Sequence, residues 1–595
     1  MEDSGSSLAE TKRMSIKNLC WLILSCVYLI SCGVNRNPSG KPDSHITASA
    51  SRKESVVEKL KERDHLPVEE RIAFYYQLKK DRADTYDFQN EFELTMYGYS
   101  LLWSGKSTEA IAVFRLLTAE FPDSSNAYDC LGDAYFGNGE HNLALENYQL
   151  SLKMDPENFH AEDQILLIRF PDRVPPTPQE KFAQIFTTAE YREDLDKLGK
   201  LLLKVHPNAL KFTSREALLQ VIEAKKALIT DHTTYGEFAW HCSEIVAGVH
   251  CSHTSGGFYY ENEMLPAASR FPLQTQLVDG RLYVADPLSN VGNVSRKDEI
   301  THINGVSVTE LVASVYPHIS TQGHIQTTKR HVFNWWSTGM IAYALGLPKK
   351  FTVSIQGKDK PVELNPVEGF RAPYDDPLRK CGELCLEVRE DKTAILTIGT
   401  FNYYPWNNLS VFEHFMDSTF REIKQKGVRD LIIDVRFNFG GSSESSIYLL
   451  KYLAKKPFTY YSRAEFEGKT QPLYGEESIT PFENRFKGRL WFLIDGVGNS
   501  TTGHFMSLVK SWNLGTLVGE ELGSNQFCSA GQKICRLKNT KMLVFIANNT
   551  HVSSASGLPD DRGIFPDYPV NQTAEDYFEG RDVVKEYALE LIRKK

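Results

Sequence analysis

From Ala394 onward, short apolar runs alternate with stretches whose apolar residues recur at helical spacing. The runs are "AILTIGTF", "LIIDVRFN", "LWFLID" and "LGTLVGE", and the helical stretches cover 409–426, a segment from about 443 and the residues after Ser500. This order predicts a largely parallel sheet covered by helices. Ligands in such sheets bind at the carboxyl ends of the strands, where Gly440-Gly441 and Ser500 both lie.

A second pattern lies nearer the N-terminus. Five residues recur 34 positions later: Gly98, Gly105, Ala110, Phe114 and Pro122 return as Gly132, Gly139, Ala144, Tyr148 and Pro156. The period and the small, aromatic and proline positions match those of tetratricopeptide repeats. Small residues let paired helices approach closely, and proline ends the second helix. Residues 66–170 are therefore predicted to form helical repeats that serve as a docking module or a brace.

Composition limits the class of protein. A chain of 595 residues is too long for one hydrophobic core and predicts about three or four domains. Hydrophobic residues at 41% and charged residues at 24% are typical of folded proteins. The formal net charge of -9 provides no basic surface for nucleic acid, so nucleic-acid binding is excluded.

The first 32 residues have the pattern of an export signal. Lys12, Arg13 and Lys17 precede an apolar run that ends at Ile30 and is too short to span a bilayer. The tetrapeptide Leu29-Ile30-Ser31-Cys32 resembles the bacterial lipobox, which implies lipidation of Cys32. An ordinary secretory signal is the alternative. Residues 33–65 are predicted to be a linker, and the protein is predicted to lie in the cell envelope, attached to the membrane by the lipid.

The cysteines allow two interpretations. Export implies an oxidising compartment, so Cys381/Cys385 and Cys528/Cys535 could form small-loop disulfides, but they could equally be free buried thiols. Their spacing does not suit a zinc site, and no metal or organic cofactor is predicted.

Between the repeats and the predicted sheet lie two further segments. Residues 171–255 are mostly helical in pattern, and strands are predicted to dominate from Leu273 to Val362. Within that range Asn304-Gly305 is a turn signal between two strands.

Ser500 stands where a predicted strand passes into a predicted helix. Its hydroxyl could simply cap the helix, since serine is a favoured N-cap. A hydroxyl at a sharp strand-to-helix turn is also how several hydrolases present a nucleophile. Gly440-Gly441 has a similar ambiguity, because glycine permits a tight turn and also lets a backbone amide approach an oxyanion.

Seven segments resemble, in order, the tail-specific or C-terminal-processing serine peptidases over roughly residues 180–595. The segments are "GVHCSHTS", "DEITHING", "LTIGTFNYY", "LIIDVRFNFGGS", "GNSTTGHF", "LVGEELGSN" and "RGIFPDYPVN". The resemblance implies that Ser500 is the nucleophile. It also implies that the strand-rich insert, residues 256–370, is a PDZ-like domain.

The family uses two catalytic styles. In the Ser–Lys style a lysine lies about 25 residues after the nucleophile, but here that position is Asn525. The sequence instead resembles the tricorn-core branch, in which a Ser-His pair supplies the base, and Ser252-His253 matches that pair. The resemblance further implies an orienting acid, for which Asp560 is chosen and Asp561 is a close alternative.

His504 lies one helical turn after Ser500 and could also act as the base, although a surface helix position explains it equally well. The resemblance implies an oxyanion hole formed by the amide of Thr501 and one from Gly440 or Gly441.

These inferences predict an α/β multidomain chain: a helical repeat segment, a helical subdomain, a small PDZ-like β-rich insert and a mostly parallel α/β catalytic core at 371–595. The predicted function is a serine endopeptidase that cleaves exported peptides or proteins through Ser500, His253 and Asp560, with Ser252 in support. The alternative is an inactive peptide-binding or envelope scaffold protein. Predicted partners are peptide substrates, a possible protein docked on the repeats and the membrane.

Overall fold

The computed structural model describes residues 53–257, 265–367, 381–404, 408–466, 469–470 and 477–594. The predicted signal with Cys32 lies outside these residues. The described chain divides into two compact units, with the boundary between Pro175 and Pro176. Within the described ranges, each helix is too short or too polar to cross a membrane.

The first unit is helical. Its helices are α1 (Val56–Lys61), α2 (Val68–Asp81), α3 (Glu91–Trp103), α4 (Ser107–Glu120), α5 (Ser125–Gly137), α6 (His141–Met154) and α7 (Phe159–Arg169). A two-residue strand, β1 (Glu54–Ser55), pairs in parallel with β2 (Tyr86–Asp87). Helix α1 lies within the predicted linker, and its Val56, Val57 and Leu60 bury an apolar face in this unit.

The helices of this unit follow the sequence period. Helices α3, α5 and α7 begin at Glu91, Ser125 and Phe159, at intervals of 34 residues. Gly98 of α3 faces Phe114 of α4 so closely that an added Cβ would lie 2.3 Å from the ring. The equivalent pair one period later, Gly132 and Tyr148, would meet at 2.6 Å. Each glycine therefore makes room for the aromatic ring of the following helix.

The second unit begins with helices and continues into the insert. Its first helices are α8 (Pro178–Ala183), α9 (Thr188–Val205), α10 (Arg215–Leu228) and α11 (Tyr235–Ala247), followed by the short strand β3 (Ser255–Gly256). Capping boxes start α8, α9 and α11, where a threonine hydroxyl and a glutamate three residues later each bond a free amide.

The insert is an antiparallel sheet with two helices. Its elements are β4 (Gln274–Val278), β5 (Arg281–Asp286), β6 (Glu299–Ile303), β7 (Val306–Ser307), α12 (Val308–Val315), α13 (Thr327–Ala344), β8 (Phe351–Ile355) and β9 (Val362–Leu364). Asn304 and Gly305 turn between β6 and β7 with positive φ, as predicted. The 18-residue helix α13 was not predicted in this segment, where strands were expected.

The C-terminal region is built around a six-stranded sheet. The elements of this region are β10 (Leu384–Val388), β11 (Thr393–Ile398), α14 (Leu409–Gln425), β12 (Asp430–Asp434), α15 (Ser443–Leu453), β13 (Tyr461–Phe466), β14 (Lys469–Thr470), β15 (Arg489–Ile494), α16 (Thr501–Ser511), β16 (Thr516–Gly519), β17 (Phe527–Ala530), β18 (Lys533–Arg536), β19 (Leu543–Ile546), β20 (Asn549–Ser553), β21 (Tyr568–Pro569), α17 (Ala574–Glu579) and α18 (Val583–Lys594). The strand order of the six-stranded sheet is β10-β11-β12-β15-β16-β21, and every neighbouring pair except β10-β11 is parallel.

This sheet is covered on both faces. Alternate residues of β12 and β15, such as Ile433 and Phe492, join a large core with α14, α15 and α16, while Ile432 and Trp491 pack with α18 on the other face. Burial on both faces explains the nearly continuous apolar runs in these strands. The mixed α/β class with a helical N-terminal region is confirmed.

Two smaller antiparallel sheets complete the region. One has the order β14-β13-β20-β17, and the other joins β18 and β19 to β3 from the start of the unit. The β3–β19 pairing brings the "GVHCSHTS" segment to the C-terminal region.

Of the two cysteine pairs, Cys381 and Cys385 form a disulfide, whereas Cys528 and Cys535 are separate buried thiols.

Candidate active site

Ser500 lies at the sharp turn between β15 and α16. Its backbone has φ 54° and ψ -123°, a conformation that is costly for a residue with a side chain. The hydroxyl makes no capping hydrogen bond to the helix, so the N-cap interpretation is wrong. The hydroxyl is therefore not used to satisfy a helix amide and is available for chemistry.

Asp495 organises the loop that leads to Ser500. Its buried carboxylate accepts hydrogen bonds from the amides of Val497 (3.1 Å), Gly498 (3.2 Å) and Phe437 (2.9 Å). Burial is the main reason that the pKa of Asp495 rises to about 6. One side chain thus ties the nucleophile loop to the loop after β12.

The loop after β12 carries Gly440 and Gly441, both with positive φ. A Cβ on Gly440 would lie 2.7 Å from Cβ of Ser500, and one on Gly441 would lie 2.2 Å from the backbone of Phe401. The two glycines are therefore required for close backbone approach as well as for the turn itself. The loop is held by the buried Asn438, whose side chain donates to the Ile398 carbonyl at 2.9 Å.

The three amides predicted for an oxyanion hole differ in their bonding. The Gly440 amide donates to Oδ1 of Asn438 at 2.9 Å, so it is already engaged. The amides of Gly441 and Thr501 donate no hydrogen bond to any of the described residues. The Thr501 hydroxyl donates to the Gly441 carbonyl at 2.5 Å, which fixes these two residues against each other.

His253 is connected to the nucleophile segment through its neighbour. The Ser252 hydroxyl lies 3.3 Å from Nδ1 of His253 and donates to Oδ1 of Asn499 at 3.0 Å. The Sγ atom of Cys528 lies 3.6 Å from Nδ1 of the same ring. Burial lowers the pKa of His253 to about 4, so the imidazole is neutral at pH 7.

His504 is buried, with 2% of its surface exposed, so the surface interpretation of this residue is wrong. Its ring contacts the edges or faces of Tyr460 and Tyr461 at centroid distances of 6.2 and 5.5 Å. Burial, with the nearby His551 and His253, lowers the pKa of His504 to about 3. His504 therefore belongs to the packing between α16 and the small β13–β20 sheet.

Asn525, at the position where the Ser–Lys style has its lysine, is fully buried. Its amide nitrogen donates to the carbonyls of Asp560 (2.9 Å) and Arg562 (2.6 Å), and its oxygen accepts from the Phe527 amide. The side chain therefore anchors the 560–562 loop.

Asp560, the predicted orienting acid, forms an ion pair with a lysine. The Asp560 carboxylate pairs with Lys211 at 2.5 Å and its side chain is 46% exposed. Among the described contacts, none joins the carboxylate of Asp560 or Asp561 to His253. The Asp561 carbonyl accepts from the His324 amide at 2.8 Å, which connects this loop to the insert.

Helix α13 of the insert packs against the nucleophile loop. The Thr328 hydroxyl donates to the Gly496 carbonyl at 2.7 Å, and the Gly496 amide donates to Glu520 at 3.0 Å. Glu520 also pairs with Arg330 and His331 of α13. Burial would raise the pKa of Glu520, but these two partners lower it to about 2.

Sequence reasoning missed four of these residues. Asp495, Asn438 and Asn499 carry the polar bonds that shape the site, and Cys528 contacts His253 across 275 sequence positions. Only Asp495 and Asn438 had a signal, since both lie in the segments that follow buried strands, β15 and β12, at the ligand-binding edge of a parallel sheet.

Comparison with known proteins gives a family for this region. The sequence matches Peptidase family S41 over residues 392–570. A comparison with curated protein sequences gives no significant match.

Three solved structures illustrate the structural comparison. Mature CPAF complexed with lactacystin has 15% identity and a TM-score of 0.48, covering 69% of this chain and 99% of that chain. The photosystem II D1 C-terminal processing protease has 12% identity and a TM-score of 0.35, covering 66% and 96%. The tricorn protease has 16% identity and a TM-score of 0.31, covering 68% and 36%.

The family match contains the strand before Gly440, the strained Ser500 and the Asn525 anchor, and it ends at Val570. The sequence resemblance to this family is thereby confirmed. Residues 392–570 of this chain are a peptidase family S41 domain.

Proposed function

We propose that this protein is a serine endopeptidase that cleaves exported peptides or proteins through an acyl-enzyme. The observation that carries the proposal is Ser500 itself, whose backbone has positive φ directly before α16 and whose side chain makes no capping bond. Ser500 attacks the scissile carbonyl and forms the ester intermediate, which water then hydrolyses.

His253 is the proposed general base. It takes the proton of Ser500 during attack and returns it to the leaving amine. Two features support this role: the Ser252–Asn499 bond brings its segment to the residue before Ser500, and a lowered pKa keeps the ring neutral. A neutral imidazole can accept a proton, whereas an imidazolium cannot.

The proposed oxyanion hole consists of the amides of Thr501 and Gly441. Among the described residues, neither amide donates a hydrogen bond, whereas the Gly440 amide donates to Asn438. Each such donor contributes about 3 kcal/mol to transition-state stabilisation. Gly440 then acts by permitting close approach to Ser500.

Asp560 is the weakest part of the proposed triad because its carboxylate pairs with Lys211. This observation favours a second candidate function, an inactive protein on the same fold that binds peptides or serves as an envelope scaffold. A fluorophosphonate probe that labels wild type but not Ser500→Ala supports the peptidase, whereas absence of labelling supports the binding protein.

The central experiment is digestion of a peptide library by wild type and by Ser500→Ala. Ser511→Ala is the matched control, since Ser511 lies on the same helix and bonds the Ser556 carbonyl away from Ser500. We expect wild type and Ser511→Ala to cleave the same bonds and Ser500→Ala to cleave none. Equal cleavage by the Ser500 variant would assign the activity to a contaminant or another nucleophile.

We further propose export and attachment to the membrane through a lipid on Cys32, on the basis of the lipobox-like tetrapeptide. A partner protein docked on the helical repeats is part of the same proposal. Intact-mass analysis of membrane-extracted protein should show a mature chain that begins at a diacylglyceryl-modified Cys32. A soluble chain with an unmodified N-terminus would exclude the anchor.

A further inference from the structure

Three side chains that bind metals elsewhere in proteins converge in the helical unit. Asp129 and Asp133 lie one turn apart on α5, and His160 lies in the first turn of α7. Each offers one ligand atom, and these atoms lie within 4.8 Å of one another. Neither the S41 domain nor the proposed peptidase reaction uses them.

The His160 ring lies between the two carboxylates, and a different ring nitrogen faces each of them. Nδ1 of His160 lies 2.8 Å from Oδ2 of Asp129, a normal hydrogen-bond distance. Nε2 of the same ring lies 3.6 Å from Oδ1 of Asp133, which is too long for a hydrogen bond. One ion binds only one nitrogen of the ring, and the 3.6 Å between Nε2 and the Asp133 oxygen is close to the roughly 3.3 Å that separates two ligands of one tetrahedral zinc ion.

The surrounding side chains hold the carboxylate of Asp133 in place. The Tyr99 hydroxyl donates to one oxygen at 2.7 Å, and the Tyr148 hydroxyl donates to the other at 2.6 Å. Outer hydrogen bonds of this kind orient ligands in known metal sites. Both tyrosines belong to neighbouring helices, so the carboxylate is fixed by the packing of the unit.

An unmet polar group points to a ligand at this position. Asp129 is only 9% exposed, and its Oδ1 has no hydrogen-bond partner within the part of the chain that the structure describes. Leaving a buried carboxylate oxygen unpaired is costly, and such groups in folded proteins are normally satisfied. The His160 side chain is 30% exposed, which gives an ion a path from solvent.

We propose that Asp129, Asp133 and His160 bind one divalent transition-metal ion of the zinc type. Imidazole and carboxylate ligands suit such an ion, and water completes its coordination. The ion would join α5 to α7, the first helices of two successive 34-residue periods, and so stabilise the end of the helical array. The site is independent of the peptidase chemistry.

The test is titration of the full-length, chelator-treated protein with Zn²⁺ by calorimetry. Wild type should bind one more ion than His160→Gln, and Asp129→Asn should weaken this site by about 10–100-fold. Glu146→Gln is the matched control, because Glu146 is an exposed carboxylate of the same helical unit and does not belong to the cluster. Comparing stoichiometries separates this site from binding elsewhere on the chain.

Two further measurements protect the result against misfolding. Each variant should retain the helical circular dichroism of wild type, and Zn²⁺ should raise the Tm of wild type but not that of His160→Gln. Cobalt-loaded wild type should show a visible absorption band that His160→Gln lacks. Equal stoichiometry and equal Tm shifts in wild type and His160→Gln would overturn the proposal and leave His160 as an imidazolium paired with two carboxylates.

Discussion

Contacts in the helical repeats join residues that are close in the sequence, whereas contacts in the candidate active site join residues that are far apart in it. In the repeats, Gly98 meets Phe114 and Gly132 meets Tyr148, contacts between residues only 16 positions apart that recur with the sequence period. In the active site, Ser252 meets Asn499 across 247 positions and Cys528 meets His253 across 275. The first kind of contact can be predicted from a local pattern, and the second depends on how whole sheets assemble.

The difference also affects how each region should respond to substitution. A contact within the repeats depends on how well side chains fill the space between two helices. Its loss should therefore lower the free energy of unfolding and leave the catalytic chemistry intact. An active-site contact positions one reactive atom, so its loss should appear in turnover while the fold persists. The following predictions test this separation.

His253→Ala should lower kcat/KM by at least about 10³-fold, because removal of one member of a catalytic unit costs nearly as much activity as removal of the whole unit. The measurement is hydrolysis of one fluorogenic peptide. Lys510→Ala is the control, since Lys510 pairs with Asp567 and should be dispensable. Near-wild-type turnover of the His253 variant would remove this residue from the mechanism, and His504 would be tested next.

Gly98→Ala should lower the free energy of unfolding of the helical unit by about 1–3 kcal/mol, because the new Cβ collides with the fully buried Phe114. Denaturant unfolding followed by circular dichroism measures this change. The control is Ser100→Ala, an exposed position on the same helix, which should stay within about 0.5 kcal/mol of wild type. Peptidase activity should not change, and a parallel loss of turnover would contradict the separation of the two regions.

The pH dependence of kcat/KM should have the low midpoint expected when the general base is a buried histidine. Because burial lowers the pKa of His253 to about 4, kcat/KM should rise with pH through a midpoint near 4 and stay level to pH 7. Below the midpoint the rate should fall about tenfold per pH unit, since protonated imidazole cannot accept the Ser500 proton. Steady-state rates from pH 3 to 8 test this, and a midpoint near 6.5 would indicate a hydrated His253.

Low pH should also lower the free energy of unfolding, so the loss of activity at low pH needs a control for unfolding. Burial lowers the pKa values of His206 and His551 to about 4 and that of His504 to about 3, so the folded state binds fewer protons than the unfolded state. Stability should be complete above pH 6.5 and fall as the pH drops toward these values. Circular dichroism at each pH separates unfolding from protonation of the base.

Asp560→Asn should have the smallest effect, less than about tenfold in kcat/KM, or 1.4 kcal/mol. The Lys211 pair is partly exposed, and Asn525 holds the loop through backbone carbonyls that the substitution leaves in place. Lys211→Met should have a similarly small effect. A loss for Asp560→Asn as severe as that for His253→Ala would show that Asp560 orients the base in the working enzyme.

Much of the fold could be predicted because its signals are local. The 34-residue period, the alternation of strands and helices after Ala394, and the Asn304-Gly305 turn each depend on residues close in sequence. Helix α13 was missed because its aromatic and polar residues, in "TTKRHVFNWWSTGMIAYA", lack a clean apolar stripe, and tertiary packing stabilises it.

The sequence by itself determined that Ser500 stands at a strand-to-helix turn, that glycines occupy 440 and 441, and that no lysine occupies position 525. Only the tertiary structure decided the positive φ of Ser500, the engagement of the Gly440 amide by Asn438, and the pairing of Asp560 with Lys211. Residue types and short spacings follow directly from the chain. Side-chain partners and strained backbone dihedrals are held in place by the packing of segments that are far apart in the sequence. No local sequence pattern contains that information.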